Sequence, residues 1–303
     1  MEKNSSTQVL RPTVAWRLAT WALVGLVTLG LAGCGGLLKV GYRNGDTTGL
    51  FLMNRYLDLS AEQKEFIKPR LRQLLVWHRS TQLSDYAALA TELQQKAQQS
   101  VTAADVAALG DQSRRRAYTT INHALPDMAD IVLRLTPANI KALEAKFADN
   151  DDDFRKENLR AGVEKQMKTR SDKTLERVEE FYGSFSREQR ATIRQLSDAR
   201  PLDNEILFAE RQRHEQEIVA LLARVDREKP SRDAVMAMLK AYTDRFERSP
   251  DPARAAFLDS LKKASDEMNA QIHDLATPQQ RSKAAAKLQE LIDDFRNLSA
   301  ETG

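Results

Sequence analysis

Apolar side chains recur every three or four residues along most of the chain after residue 60. Ile67, Leu71, Leu74 and Leu75 form one such series, and similar series begin further along. This spacing is that of one face of an α-helix, and no stretch shows the sustained alternation typical of a strand. The pattern therefore predicts an all-α protein, a multi-helix bundle of antiparallel helical hairpins. Capping residues and prolines set the predicted helices at about 60–81, 85–99, 103–124, 127–134, 137–148, 151–183, 187–198, 203–228, 232–248, 252–275 and 278–298.

Prolines mark several of these boundaries, because proline lacks the amide hydrogen that continues a helix. Pro126 and Pro201 fall between predicted helices, and a candidate boundary between two subdomains lies near 184–202. Pro69 falls inside the first long helix. We therefore expect a bend at Pro69, or a first turn that ends early and restarts.

Four predicted helix starts share a short motif, at Leu59–Gln63, Leu135–Asn139, Phe185–Gln189 and Ala276–Gln280. Each motif has a hydroxyl residue that can accept a hydrogen bond from a free amide of the first turn. Each also has a side-chain amide three positions later that can reach back, which completes a capping box. The motifs therefore predict four well-capped helices.

These boxes also resemble the Leu-Thr-x-x-Gln motif of small periplasmic proteins of the Spy and CpxP type. Those proteins use long helical hairpins to hold unfolded clients, so the resemblance implies a chaperone-like role. The motif is short, with Asn139 in place of Gln and Ala276 in place of Leu. Good helix caps explain the same residues without any client, and both interpretations stay open.

The first 33 residues have the three parts of a secretory signal peptide. A basic head is followed by an uncharged segment that starts at Leu18. This segment is shorter than the roughly 20 residues that a helix needs to cross a bilayer, so it does not predict a permanent span. The segment closes on Leu31, Ala32, Gly33 and Cys34, and Cys34 is the only cysteine of the chain.

The Leu-Ala-Gly-Cys box resembles the processing site of bacterial lipoproteins. The resemblance implies that diacylglycerol is attached to the sulfur of Cys34, that cleavage follows Gly33, and that fatty acyl groups such as palmitate anchor the mature protein. In such proteins an aspartate after the cysteine commonly keeps the product in the inner membrane. Gly35 stands there in this chain, so the resemblance favours the inner leaflet of the outer membrane, facing the periplasm.

The predicted organisation has a signal peptide at 1–33, a lipidated flexible tether at 34–49 and an all-helical periplasmic domain at 50–303. The tether is rich in glycine, whereas the segment from Leu50 to Leu57 is apolar enough to form a short helix against the body. The segments Tyr42–Asn44, Arg55–Gln63 and Leu75–Arg79 resemble an uncharacterised family of proteobacterial helical lipoproteins. That resemblance implies a fold class and a location, and no activity.

Candidate metal sites are poorly supported by the sequence. The four histidines are widely spaced, and none belongs to a His-Glu-x-x-His pair. The run Asp149–Asp153 suggests a calcium loop, but Phe154 stands where the loop needs glycine and Arg160 where it needs glutamate. We therefore expect an acidic helix start in this run, and assign no metal and no cofactor.

Charge and motifs favour binding over catalysis. Basic and acidic residues number 46 and 43 and are interspersed, so no nucleic-acid partner is expected. Arg114–Arg116 predicts a solvated face with local acidic partners. No nucleophile or phosphate-loop motif is present, so no catalytic residue is assigned. Trp77 and His78 are candidates for a surface or groove contact, with a histidine bordering the core as the alternative for His78.

The sequence thus predicts an envelope factor whose apolar helix faces bind a protein client or partner. Two alternatives remain open at this stage. One is an envelope enzyme or peptidoglycan-associated factor whose site forms only in the fold. The other is a structural subunit of an envelope complex.

Overall fold

The computed structural model describes residues 41–42 and 44–301. The predicted signal peptide, the lipobox residues Leu31, Ala32 and Gly33, and Cys34 all lie outside these residues. The described part contains eleven α-helices, one π-helical segment at Arg155–Leu159, and no strand. The helices are α1 (Gly45–Leu57), α2 (Ala61–Thr81), α3 (Leu83–Lys96), α4 (Ala103–Val132), α5 (Pro137–Phe154), α6 (Val163–Tyr182), α7 (Arg187–Asp198), α8 (Asn204–Glu228), α9 (Arg232–Arg245), α10 (Pro252–Leu275) and α11 (Pro278–Ala300).

The all-α prediction is confirmed, and several helix boundaries agree closely with it. The helices predicted at 187–198 and 252–275 have those bounds, and α11 extends only two residues past the predicted end. These helices begin at a hydroxyl or carboxyl cap, and the cap side chain accepts from the first turn in each case. Strong local signals therefore gave the most accurate boundaries.

Pro126 does not separate two helices, so the predicted break between 124 and 127 is wrong. α4 runs without interruption from Ala103 to Val132 with Pro126 inside it. Leu125 and Ala129 flank the proline and are buried against residues of α8 and α9. Packing on both sides therefore offsets the roughly 3 kcal/mol that an internal proline costs. Pro69 likewise lies inside an uninterrupted α2.

The predicted helix break near residue 150 is also wrong. α5 continues to Phe154, so the run Asp149–Asp153 lies at a helix end and not at an acidic helix start. The chain then forms the π-helical segment, and α6 begins only at Val163. Asp151 explains why acidic residues are tolerated at this end, because it pairs with the buried Arg211 of α8 at 2.7 Å.

Two glycines assigned to the flexible tether belong to α1 and serve its packing. α1 begins at Gly45, five residues before the predicted helix. A Cβ atom at Gly45 would lie 2.8 Å from Cδ1 of Leu75, and one at Gly49 would lie 3.4 Å from Cδ1 of Leu71. The glycines therefore let α1 approach α2 closely, and the helical body starts before residue 50.

The hydrophobic core is divided among four clusters along the bundle. One joins α3 to α11 through residues such as Leu83 and Ile292, and a second packs Ile67 of α2 against α5 and α8. A third joins α6, α7 and α10, and the fourth holds α4 against α8 and α9. Between these clusters the helices leave a cavity, which is described below.

The four predicted capping boxes all form, and they meet in two pairs. In the first pair, Nε2 of Gln63 donates to Oδ1 of Asn139 at 2.7 Å and to the carbonyl of Arg134 at 2.8 Å. Nδ2 of Asn139 donates in return to the carbonyl of Leu57 at 2.7 Å. Each amide thus caps its own helix and holds the segment that leads into the partner helix.

The second pair repeats this arrangement at the starts of α7 and α11. Nε2 of Gln189 donates to Oε1 of Gln280 and to the carbonyl of Leu275, both at 3.0 Å. Nε2 of Gln280 donates to the carbonyl of Ser184 at 2.8 Å. The sequence predicted the boxes but not their pairing, which joins residues 76 apart in the first pair and 91 apart in the second.

We expect Gln280→Ala to lower the free energy of unfolding by about 2–3 kcal/mol, because several buried hydrogen bonds are lost together. Ser231→Ala is the matched control, since Ser231 caps α9 without reaching a second capping box. Its expected loss is about 1 kcal/mol. Urea denaturation measures both values. Equal losses for the two variants would show that the pairing adds nothing to the caps.

Candidate functional site

A partly open cavity of about 730 Å³ lies between the helices and could hold a ligand. Its volume falls in the range of roughly 300–1,000 Å³ that ligand sites occupy. Residues from α1, α2, α3, α4, α5, α8, α9 and α11 contribute to its wall. Most of the wall is apolar, and its members include Leu52, Met53, Leu71, Leu74, Leu89, Leu93, Ile121, Met128, Ile131, Phe147, Ile218, Leu239, Phe246 and Phe295.

The cavity extends along much of α4. α4 contributes wall residues from Gly110 to Val132, which at 1.5 Å per residue corresponds to about 33 Å of helix. Divided by this length, the volume of about 730 Å³ gives an average cross-section of about 22 Å². The space therefore follows the α4 axis as a channel.

Small side chains on one face of α4 leave room for the cavity. Gly110, Ala117 and Ala124 all line the cavity and are spaced seven residues apart, so they return to nearly the same helix face. The sequence contained this signal, but small residues at that spacing equally suit a close helix contact. Without the fold, the spacing could not identify a cavity.

His78 is buried in the cavity wall, whereas Trp77 lies outside it. Nδ1 of His78 is 2.7 Å from the hydroxyl of Tyr42, and Nε2 is 3.2 Å from the hydroxyl of Tyr86. Burial lowers the pKa of His78 to about 4, so the ring is neutral at pH 7. Trp77 stacks on the exposed His123, with ring centroids 3.6 Å apart. The two candidate residues thus have separate surroundings.

His214 is a second neutral histidine in the wall. Nη2 of Arg213 lies 3.1 Å from Nε2 of His214, which must accept because arginine only donates. The ring stacks on Phe246 with centroids 3.9 Å apart. Its Nδ1 is buried and has no hydrogen-bond partner. Burial first, and then the charge of Arg213, lower the pKa of His214 to about 4.

A buried charge network lies beside His214. Nε of Arg211 is 2.7 Å from Asp151 and 3.1 Å from Glu215, and Glu215 also lines the cavity. Arg211 is only 2% exposed. The network joins α5 to α8 directly before the π-helical segment. Because its charges are engaged with one another, it stabilises the wall and does not present a free carboxylate to the cavity.

The arginines of the cavity wall differ in their partners. Arg70 pairs with Asp127, Arg114 with Glu247, and Arg116 with Asp85, which supplies the acidic partners predicted for Arg114 and Arg116. The sequence had not placed these arginines at a cavity. Arg55 of α1 also lines the cavity, is exposed, and has no carboxylate partner in the described chain.

Metal and membrane features give two further findings. The described residues contain no group of three His, Cys, Asp or Glu side chains that could hold a metal ion. None of the helices between residues 41 and 301 is both long and apolar enough to span a bilayer.

His273, the fourth histidine, is 2.9 Å from the Tyr182 hydroxyl and 2.8 Å from the carbonyl of Gln99.

A model of the family of unknown function DUF6279 matches residues 55–251. The chain belongs to this family. No curated protein matches the chain, and no solved structure does. The DUF6279 match covers Arg55 and the cavity residues of α2, α3, α4, α5, α8 and α9, whereas Phe295 lies beyond it. The family therefore includes most of the cavity wall without naming an activity for it.

The two neutral histidines predict how stability depends on pH. An unfolded histidine titrates near 6.5, whereas His78 and His214 titrate near 4 in the fold. Between these values the unfolded state binds more protons, so stability rises with pH. As the pH falls from about 6.5 to 4, we expect each histidine to reduce the free energy of unfolding by up to about 3 kcal/mol. Urea denaturation across this range measures the slope.

His78→Gln is the variant that tests this assignment. Glutamine does not titrate and can keep one donor and one acceptor for the two tyrosine hydroxyls. We expect a shallower loss of stability between pH 6.5 and 4 than in the parent chain. An identical slope would show that His78 is not buried as a neutral ring.

Proposed function

We propose that this protein is a lipid-anchored envelope factor whose helical body binds an apolar guest in the cavity along α4. The lipid on Cys34 holds it to the inner leaflet of the outer membrane, and the body faces the periplasm. Its role is binding, not catalysis. The observation that carries the proposal is the cavity of about 730 Å³ with its largely apolar wall.

The wall supports binding because water in contact with apolar side chains is released when an apolar guest enters. Its two histidines do not suit acid-base chemistry at neutral pH, which needs a pKa near the working pH. His78 and His214 have pKa values near 4, and Glu215 is engaged with Arg211. The wall thus offers a guest an apolar surface and a few hydrogen-bonding groups.

The anchor is supported by the lipobox sequence and by its distance from the body. Gly41, where the described chain begins, lies seven positions after Cys34. Even fully extended, that connection spans at most about 25 Å. A lipid on Cys34 would therefore keep α1, and the cavity that α1 helps to line, within reach of the leaflet. This proximity suits a guest that comes from the membrane or from a membrane-bound partner.

Cavity binding is tested with the full chain reconstituted in phosphatidylcholine vesicles and an uncharged photoactivatable alkyl probe. We expect saturable labelling of peptides from α4, because the probe fills the channel. Ala117→Phe should reduce this labelling several-fold by filling the space. Ala108→Phe is the matched control, since Ala108 is exposed on the same helix and does not line the cavity. Equal, non-saturable labelling of all three proteins would contradict the proposal.

The anchor is tested by fractionating cells that produce the parent chain or Cys34→Ser. We expect the parent in the outer-membrane fraction, with a mass that corresponds to residues 34–303 plus acyl groups. Loss of the sulfur removes the attachment point, so the Cys34→Ser product should lack the acyl mass. An unmodified Cys34 in the purified parent would refute the anchor and leave the cavity proposal standing.

A further inference from the structure

The shape of the cavity limits the kind of guest that fits. An α-helix with its side chains is about 10–12 Å wide, which corresponds to roughly 80–110 Å² in cross-section. The channel averages about 22 Å² over the length of α4 that lines it. A helical segment of a protein client is several times wider than this average. The average width therefore favours a thin, extended chain as the guest.

The chemistry of the wall distinguishes between two thin guests, an extended polypeptide and a hydrocarbon chain. An extended polypeptide carries an amide and a carbonyl at every residue, and each needs a hydrogen-bond partner when it is buried. Leu, Ile, Met, Ala and Phe make up about half of the wall residues, and most of the wall area is apolar. An alkyl chain has no such requirement. The wall therefore suits a hydrocarbon chain better than an extended peptide.

The volume limits the number of chains. A methylene group takes up about as much room as a water molecule does in the liquid, roughly 30 Å³. One chain of about sixteen carbons then needs roughly 500 Å³, and two need roughly 1,000 Å³. The cavity of about 730 Å³ accommodates the first and not the second.

Arg55 indicates the head group. It lines the cavity, is exposed, and is the one arginine of the wall without a carboxylate partner in the part of the chain described here. Phe51 lies one helical turn earlier on α1 and is 60% exposed, so an apolar side chain stands beside the cation. An exposed cation in the wall of an apolar cavity, next to apolar surface, is complementary to an amphiphile with an anionic head.

We propose that the cavity binds a single-chain amphiphile with an anionic head group, with the alkyl chain along α4 and the head group paired to Arg55. The inference rests on the proposed function, because it assigns a ligand class to the same cavity. A fatty acid and a lysophospholipid share this chemistry. The test below uses one of each, so that it also distinguishes a carboxylate from a phosphate head.

The experiment uses the full chain in phosphatidylcholine vesicles and three photoactivatable probes with the same sixteen-carbon chain. The probes are palmitate, a lysophosphatidylglycerol and the uncharged monoacylglycerol. Mass spectrometry measures labelling of α4 peptides against probe concentration. We expect at least one anionic probe to half-saturate at about tenfold lower concentration than the uncharged probe. The anionic probe with the lower value identifies the preferred head group.

Arg55→Gln is the decisive variant, because it removes the charge and leaves the channel intact. We expect it to raise the half-saturating concentration of the preferred anionic probe about tenfold and to leave the uncharged probe unchanged. Arg115→Gln is the matched control, since Arg115 is exposed on α4 and does not line the cavity. It should alter neither value. Thermal unfolding of each variant confirms that the fold is retained.

The outcomes separate this inference from the proposed function. If the uncharged probe labels α4 saturably and Arg55→Gln changes no anionic probe, the head-group assignment is wrong and cavity binding stands. If no probe labels α4 saturably, both are wrong. If an apolar peptide displaces the bound probes more effectively than unlabelled palmitate does, the ligand is a polypeptide and the amphiphile assignment is overturned.

Discussion

The uninterrupted length of α4 is the constraint on which the rest of the structure depends. It is a 30-residue helix, and it packs against α2 on one part of its surface and against α9 and α10 on others. Because α4 continues through Pro126, its residues from Gly110 to Val132 contribute to one cavity wall. The small residues Gly110, Ala117 and Ala124 lie on the face that lines this cavity.

Helix ends are held together by polar contacts between distant parts of the chain. The two paired capping boxes fix four helix starts at once, because each side-chain amide bonds both to its own first turn and to a distant carbonyl. The Asp151–Arg211–Glu215 network does the same between α5 and α8. These contacts allow the bundle to keep its geometry around a cavity that a fully packed core would have filled.

Local signals predicted the fold class, the capping boxes and several helix boundaries, because these depend on neighbouring residues. The errors arose where distant packing overrides a local rule. Pro126 is tolerated because Leu125 and Ala129 are buried against α8 and α9, and Asp151 is tolerated at a helix end because Arg211 lies opposite. Gly45 was assigned to a flexible tether, but its lack of a side chain serves contact with Leu75. Each of these outcomes depends on a partner that the sequence does not place.

The candidate site was less predictable than the fold for the same reason. His78 was singled out from its position beside Trp77, but its place in the wall depends on Tyr42 and Tyr86, which are 36 and 8 residues away. The channel is an unfilled space between helices, and no residue type in the sequence indicates such a space. An arginine without a carboxylate partner can be recognised only when the structure shows the partners of the other arginines of the wall. The structure is therefore needed to identify Arg55 as a candidate contact for a ligand, because the sequence shows neither its place in the cavity wall nor the partners of the other arginines.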